Sequence, residues 1–405
     1  MSHSEIACVP GGVTAPLGFR ASGVACGIKA SGAPDLALIV PDGPSSAAAV
    51  FTTNLAQAAP VVISREHLVR SRGRAAGIVV NSGCANACTG ADGAGHAREM
   101  AARTAAAIGG EPHDVLVAST GVIGVKLDIA AVRRGIEDGA RRLSRDGAHA
   151  AARAIMTTDP FPKESSVEVS SPLGTFRVGG MAKGSGMIEP LMATMLGFVT
   201  TDAAVEPSVL QRALSAVVNE TFNAITVDGE CSTNDCVFAL ANGISGVRLD
   251  DADLTLLAEA LTAVCEPLAV NIVRGGEGAT KLITVHVTGA ASVPDARRAA
   301  RAIANSPLVK TAIHGGDPNW GRLIAVAGRS GAAFSLDHAA VRLGTVELFS
   351  RGTPYDDRAA TAAAYLQSGE IDVHVDLGTG GSGRSRMWTC DLSAEYVRIN
   401  AEYRT

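Results

Sequence analysis

The chain has 405 residues, 47% of them apolar, which suits two or three domains with sizeable cores. A net charge of −5, with only two Trp, four Tyr and nine Phe, excludes a basic, aromatic-studded nucleic-acid surface and directs attention to small molecules. No basic region followed by an apolar run opens the chain, and no eighteen residues are uninterruptedly apolar, so a cytoplasmic protein is expected. Eight cysteines in so long a chain do not form a disulfide framework. The close pairs Cys84/Cys88 and Cys231/Cys236 lack histidines at zinc-site spacing, so reduced thiols and no metal are expected.

In chain order, short apolar runs at Leu36 to Val40, Ala48 to Thr52, Val61 to Ser64 and Gly77 to Asn81 alternate with Gly, Pro, Ser and Asn, predicting successive strands. Gly93 to Ile108 and Ile129 to Leu143 predict helices lying on that sheet. Between them Asp114 to Ala118 predicts a strand ending in Ser119-Thr120-Gly121. A glycine there lets a backbone N–H turn toward a bound group and the threonine adds a hydroxyl, which suits an oxyanion hole as well as an ordinary turn. Ala151 to Met156 predicts a helix end, stopped by Pro160.

The centre of the chain is Gly180-Met181-Ala182-Lys183-Gly184-Ser185-Gly186-Met187-Ile188-Glu189-Pro190-Leu191-Met192-Ala193-Thr194-Met195-Leu196. Its glycines and proline forbid a regular helix, while Met195 to Val199 is apolar enough for a buried strand, so Thr194 sits where a loop enters the core. A threonine hydroxyl is a weak nucleophile, but as the first residue of a chain its own amine, with pKa of about 7.7 to 8.0, becomes a base beside it. Before any cleavage the same hydroxyl can attack the preceding carbonyl, which Ala193 scarcely obstructs. Thr194 also fits the ordinary head of a strand.

Beyond the centre, Ala203 to Ile225 and Leu249 to Ile272 predict long helices, separated by the polar loop Asp228 to Asp235. Gly275-Gly276 then breaks the second helix and delivers Glu277, itself readable as a solvated carboxylate near Arg274. Leu282 to Thr288 predicts a strand, and Pro294 to Asn305 opens a new unit. Gly378 to Gly383 fits G-x-G-x-x-G, but Arg384 to Cys390 carries no helical pattern, so a hairpin turn is expected and not a dinucleotide site. Arg177 to Ala182 fits a coenzyme-A acetyltransferase pattern only weakly, since no helix follows to face a pyrophosphate.

The Met-Ala-Thr-Met-Leu segment around Thr194, with Ser119-Thr120-Gly121, Met156-Thr157-Thr158-Asp159, the loop from Asp228 and His314-Gly315-Gly316-Asp317-Pro318-Asn319-Trp320-Gly321-Arg322, closely resembles the ornithine acetyltransferases, the glutamate N-acetyltransferase family. The resemblance runs from Val13 to the C-terminus. It implies an α/β fold, a layered αββα-type sandwich built from both cleavage products, with a smaller C-terminal α+β domain at about 290–405. It implies autocleavage between Ala193 and Thr194 into chains 1–193 and 194–405, expected to assemble two of each. Thr194 would be acetylated by N-acetylornithine and deacetylated by glutamate in a ping-pong cycle of arginine biosynthesis, with no cofactor and with acetyl-CoA as a further conceivable donor.

Carried over residue by residue, Thr194 is nucleophile, Thr120 and Gly121 stabilise the oxyanion, and Thr157, Lys183, Thr194, Glu277, Asn400 and Thr405 contact substrate. Lys183 suits the shared α-carboxylate and Glu277 the positive end of ornithine. Glu189 and Leu191 depart from the usual pattern, as in paralogues recruited to secondary metabolism. A self-cleaving aminopeptidase or amidase is the rival enzyme reading, and an uncleaved inactive scaffold the non-enzyme one.

Overall fold

The computed structural model describes residues 4–189 and 195–402. Among them the chain forms two compact units. The first comprises the residues up to Asn223 together with Glu230–Ile272, the second Ala224–Gly229 together with those from Val273 onward.

The first unit is built on two sheets. One runs in the order β1 (Glu5–Cys8), β8 (Lys163–Ser171), β9 (Gly174–Lys183), β10 (Leu196–Thr201), β12 (Cys236–Ala241), β4 (Ser45–Phe51), β5 (Arg74–Ala75). The other runs β2 (Phe19–Val24), β3 (Leu36–Pro41), β6 (Gly77–Cys84), β7 (Val115–Val122). A short parallel ladder joins β11 (Ala204–Val205) to β13 (Arg248–Leu249).

Alternation along each strand decides what the sheets bury. Ile39, Ile78, Val80, Leu116 and Ala118 from one sheet meet Met181, Leu196, Phe198, Phe238 and Leu240 from the other in a single core. The opposite faces of the second sheet, through Leu38, Val79 and Val117, pack on Met100 and Ala101 of helix Gly90–Ile108 and Val132 and Ile136 of helix Ile129–Arg141. Outside the first sheet, helix Pro207–Glu220 places Gln211 against the backbone of Ala49 at 3.0 and 3.1 Å. Helix Leu254–Arg274 sets Val264 and Leu268 where a Cβ on Gly180 would be. The first unit is therefore the expected α/β sandwich of helix, sheet, sheet and helix layers.

By length and composition the stretch Asp251–Arg274 could cross a membrane, with half of its most apolar window buried. Glu259 and Glu266 interrupt it, while Leu257, Leu261, Val264 and Leu268 are fully buried, the pattern of a helix lying on a core.

In the second unit a mixed sheet runs β17 (Thr353–Pro354), β16 (Val346–Ser350), β15 (Ala340–Leu343), β18 (Glu370–Asp376), β14 (Leu282–Ala290), β19 (Gly383–Cys390). Val285, Val287, Val341, Val373 and Val375 bury one face among Ala296, Ala300 and Ile303 of helix Val293–Ala304 and Leu323 and Val326 of helix Trp320–Gly328.

Two readings of the sequence are corrected. Val61 to Ser64 is not a strand but part of helix Ala59–Arg70, because Pro60 stands in the first turn, where its fixed φ and missing N–H cost nothing. The β-branched run misled, since Val61 and Ile63 are buried from a helix while Val62 between them is exposed. Gly378 to Gly383 is not a hairpin turn: β18 and β19 flank β14 on opposite sides, so the glycine-rich segment crosses over the end of β14, where Thr379 bonds the Gly289 carbonyl through both its N–H and its hydroxyl. A strand follows it, which leaves no helix N-terminus for a pyrophosphate.

Candidate active site

Strand β7 does not stop at Ala118 but continues through Val122. Alternation keeps Leu116, Ala118 and Thr120 on the face that meets the other sheet. Gly121 then takes φ +128°, and a Cβ there would lie 2.3 Å from the carbonyl carbon of Gly83, its partner in β6. No other residue fits that backbone. Ser119, pointing the other way, donates to Asn81 Oδ1 at 2.6 Å and anchors the strand end.

Lys183 ends β9 on the inner face, two residues beyond Met181. Its Nζ, on a side chain buried to 3% exposure, donates to Thr120 Oγ1 at 3.3 Å, so the two sheets touch through a charge-assisted bond. With its oxygen accepting from the lysine, the Thr120 hydroxyl keeps its proton to donate elsewhere.

Behind Lys183 lies a buried ion pair that the sequence reading missed. Asp159 and Lys163, both with fully buried side chains, meet at 2.6 Å. Asp159 also accepts the backbone N–H of Gly184 at 2.7 Å and that of Thr157 at 3.0 Å. Burial pushes the Asp159 carboxyl up, but the charges of Lys183 and Lys163 and its hydrogen bonds outweigh that and hold it down at about 2. Burial lowers Lys163, which Asp159 opposes. Lys29 is near enough to feel Lys183, and burial, with that charge adding, brings it down to about 8. The available signal was an Asp-x-x-x-Lys spacing that leads a lysine into an otherwise apolar strand.

The end of the polar loop, Glu230–Asp235, belongs to the first unit and reaches the same strands. Asn234 donates to the carbonyls of Ala85 at 2.6 Å and Ser119 at 2.9 Å, and Asp235 accepts the Met195 N–H at 2.9 Å. Burial pushes the Cys231 thiol up, with the charges of Asp235 and Glu189 adding, which places Glu189 in the electrostatic surroundings of this loop.

Thus the structure brings Thr120, Gly121, Lys183 and the Thr157 backbone together in the first unit, at the chain ends that lead into and out of the central segment. Ala193 and Thr194, together with Leu191 and Thr405, lie outside the described residues. Glu277 and Asn400 belong to the second unit. There Asn400, on helix Ala394–Glu402, donates to Glu277 Oε2 at 2.9 Å, while Arg274 bridges Glu370 at 2.6 Å. Glu277 is 7% exposed, not a solvated carboxylate.

The His314 to Arg322 segment, which had no chemical role in the sequence, acquires a structural one. His314 Nδ1 lies 2.7 Å from Asp391, whose other oxygen accepts the N–H groups of Thr280 and Lys281 at 2.8 Å each. That carboxylate fixes the loop carrying Glu277. Asn319 caps helix Trp320–Gly328, and Trp320 stacks on Phe349 with ring centroids 4.8 Å apart.

A buried cation touching a hydroxyl beside an obligatory glycine can stabilise developing negative charge. Comparison with known proteins supplies the family. The ArgJ family profile matches residues 20–405. The chain is 52% identical to the arginine biosynthesis bifunctional protein ArgJ of a Synechococcus strain, over 98% of each chain. It is 50% identical to the ArgJ protein of Thermosynechococcus vestitus over the full length of both. The crystal structure of the ArgJ protein from Bacillus halodurans is 45% identical and superposes with a TM-score of 0.50, covering 52% of this chain and all of that one. Matched from end to end in sequence and over half its length in structure, the chain belongs to the ArgJ family.

Proposed function

We propose that this bifunctional transferase of arginine biosynthesis moves the acetyl group of N-acetylornithine to glutamate through an ester on Thr194. The observation that carries the reading is the buried group Lys183, Lys163 and Asp159. Among the described residues Lys163 has a directly paired carboxylate in Asp159, whereas Lys183 has none and bonds the Thr120 hydroxyl. An uncompensated buried cation calls for an anion. An amino acid's α-carboxylate supplies it, and both N-acetylornithine and glutamate carry one.

The chain first cuts itself. The Thr194 hydroxyl adds to the Ala193 carbonyl, the peptide C–N bond breaks toward an ester, and water hydrolyses that ester to leave the Ala193 carboxylate and a free Thr194 amine. Strands β9 and β10 come from either side of this bond and pair over six residues, from Leu196 with Lys183 to Thr201 with Val178, so the fragments stay joined.

In turnover the amine takes the Thr194 hydroxyl proton as the oxygen attacks the acetyl carbonyl. Thr120 and Gly121 hold the oxyanion, and the proton passes to ornithine's departing nitrogen. Glutamate's amine then attacks the acetyl ester, giving N-acetylglutamate and restoring the hydroxyl. The second activity is proposed as acetylation of glutamate from acetyl-CoA, a reading supported by the word bifunctional in the names of the relatives.

The test is a rapid quench with labelled N-acetylornithine and no acceptor. Label should be trapped on the fragment that begins at Thr194, and glutamate should discharge it faster than water. Equal discharge by water would instead support an amidase.

A further inference from the structure

Asp235 has no part in the chemistry above, yet it is fully buried at the point where the central segment re-enters the sheet. A carboxyl is costly there unless it is hydrogen-bonded, and what it bonds is informative. One oxygen, Oδ1, accepts the N–H of Met195 at 2.9 Å. Met195 directly follows Thr194 and precedes the first residue of β10, so its N–H lies ahead of the ladder pairing that begins at Leu196. The Asp235 carbonyl also accepts the Thr52 N–H at 2.9 Å, which fastens the residue to the end of β4.

Its neighbour completes the pattern. Asn234 Nδ2 donates to the Ser119 carbonyl, one residue before Thr120, and Thr233 fixes the amide by donating to Asn234 Oδ1 at 2.6 Å. Consecutive side chains of one loop thus grip the residue before the oxyanion threonine and the residue after the nucleophile.

Resting on the assignment of Thr194 as nucleophile, we propose that Asp235 is its positioning residue, clamping the Met195 N–H so that the preceding threonine is presented to Thr120 and Gly121. Asn234 sets the spacing between the two strands. Burial pushes the Asp235 carboxyl well up, against the opposing pull of the Met195 N–H, of Lys183 and of the Ser232 hydroxyl. In this contact the carboxyl acts through Oδ1 as an acceptor. An amide has the same acceptor and no charge. Asparagine should therefore replace the clamp where alanine cannot.

The experiment compares wild type, Thr194→Ala, Asp235→Asn, Asp235→Ala and Asp235→Ser, measuring self-cleavage by intact mass and then kcat and KM, with thermal melting to establish folding. Asp235→Ala and Asp235→Ser, which cannot reach the Met195 N–H, should cleave and turn over roughly a hundredfold more slowly through misplacement, with KM for N-acetylornithine little changed. Asp235→Asn should recover at least tenfold of that loss. Wild-type rates in a folded Asp235→Ala or Asp235→Ser protein would overturn the proposal. So would an Asp235→Asn protein that folds and is as slow as the alanine variant, because a charge and not a clamp would then be at work. If the truncated variants fail to fold, the asparagine variant decides alone: cleavage within a few fold of wild type is expected, and its loss in folded protein refutes the clamp. Failure of the underlying nucleophile reading shows separately, as uncleaved wild type or a cleaving Thr194→Ala control.

Discussion

Lys183 Nζ donates to Thr120 Oγ1 at 3.3 Å, joining the last residue of β9 in one sheet to the end of β7 in the other. This contact sets the geometry of the proposed chemistry. It occupies one of the threonine's two acceptor sites and leaves its proton free for the proposed oxyanion, and it places a buried lysine beside that proton.

Thr120→Ala removes the donor. Both self-cleavage and acetyl transfer should slow by about a hundredfold, the usual cost of one lost oxyanion donor. Time courses of fragment formation and initial rates on N-acetylornithine check this, and normal rates in both would remove the assignment.

Asp159→Asn breaks a fully buried pair and strands Lys163. Loss of one partner should destabilise the protein by about 3–5 kcal/mol at neutral pH. The pH dependence follows from the sign of the shift. Asp159 is held below its unfolded value, at about 2, so its contribution is present above the unfolded pKa of about 4 and is lost as pH falls from there toward 2. Melting temperature plotted against pH should therefore fall less steeply between pH 4 and 2 in the variant than in the wild type. Parallel curves would show that Asp159 is not the carboxylate being titrated.

Glu277→Gln keeps the size of the side chain and its contact with Asn400 while deleting the charge. KM for N-acetylornithine should rise, with kcat/KM down roughly 10- to 150-fold for a charge-assisted contact worth about 1.5–3 kcal/mol, and the fragments should form as before. Unchanged steady-state kinetics would confine Glu277 to the internal order of the second unit.

Much of this arrangement is legible in the sequence because it depends on local rules. The strand before Ser119, the helix stopped at Gly109 and the glycine loop that follows Lys183 each announce themselves through period, cap or turn chemistry. Gly121 could be suspected from its type alone, although only the backbone of Gly83 lying against it shows why no other residue serves. Val61 to Ser64 was misread because β-branched residues pack as well on the buried side of a helix as in a strand, and the proline's position had to decide. Asp159, Lys163, Asn234 and Asp235 were not singled out, since what makes them matter is burial, with side chains bonded to partners as many as 149 residues away in sequence. Pairings at that distance leave no periodic trace. Nothing in the Gly378 to Gly383 segment indicates that β14 will come to lie between the strands it connects, because strand order within a sheet is a property of the assembled unit.

The central claim is that Thr194 becomes a chain terminus, and intact-mass analysis of the purified active protein tests it most directly. The account predicts two fragments, residues 1–193 and 194–405, each near half of the 41.1 kDa total, with Thr194→Ala remaining whole and inactive. A single full-length chain in fully active protein would contradict it.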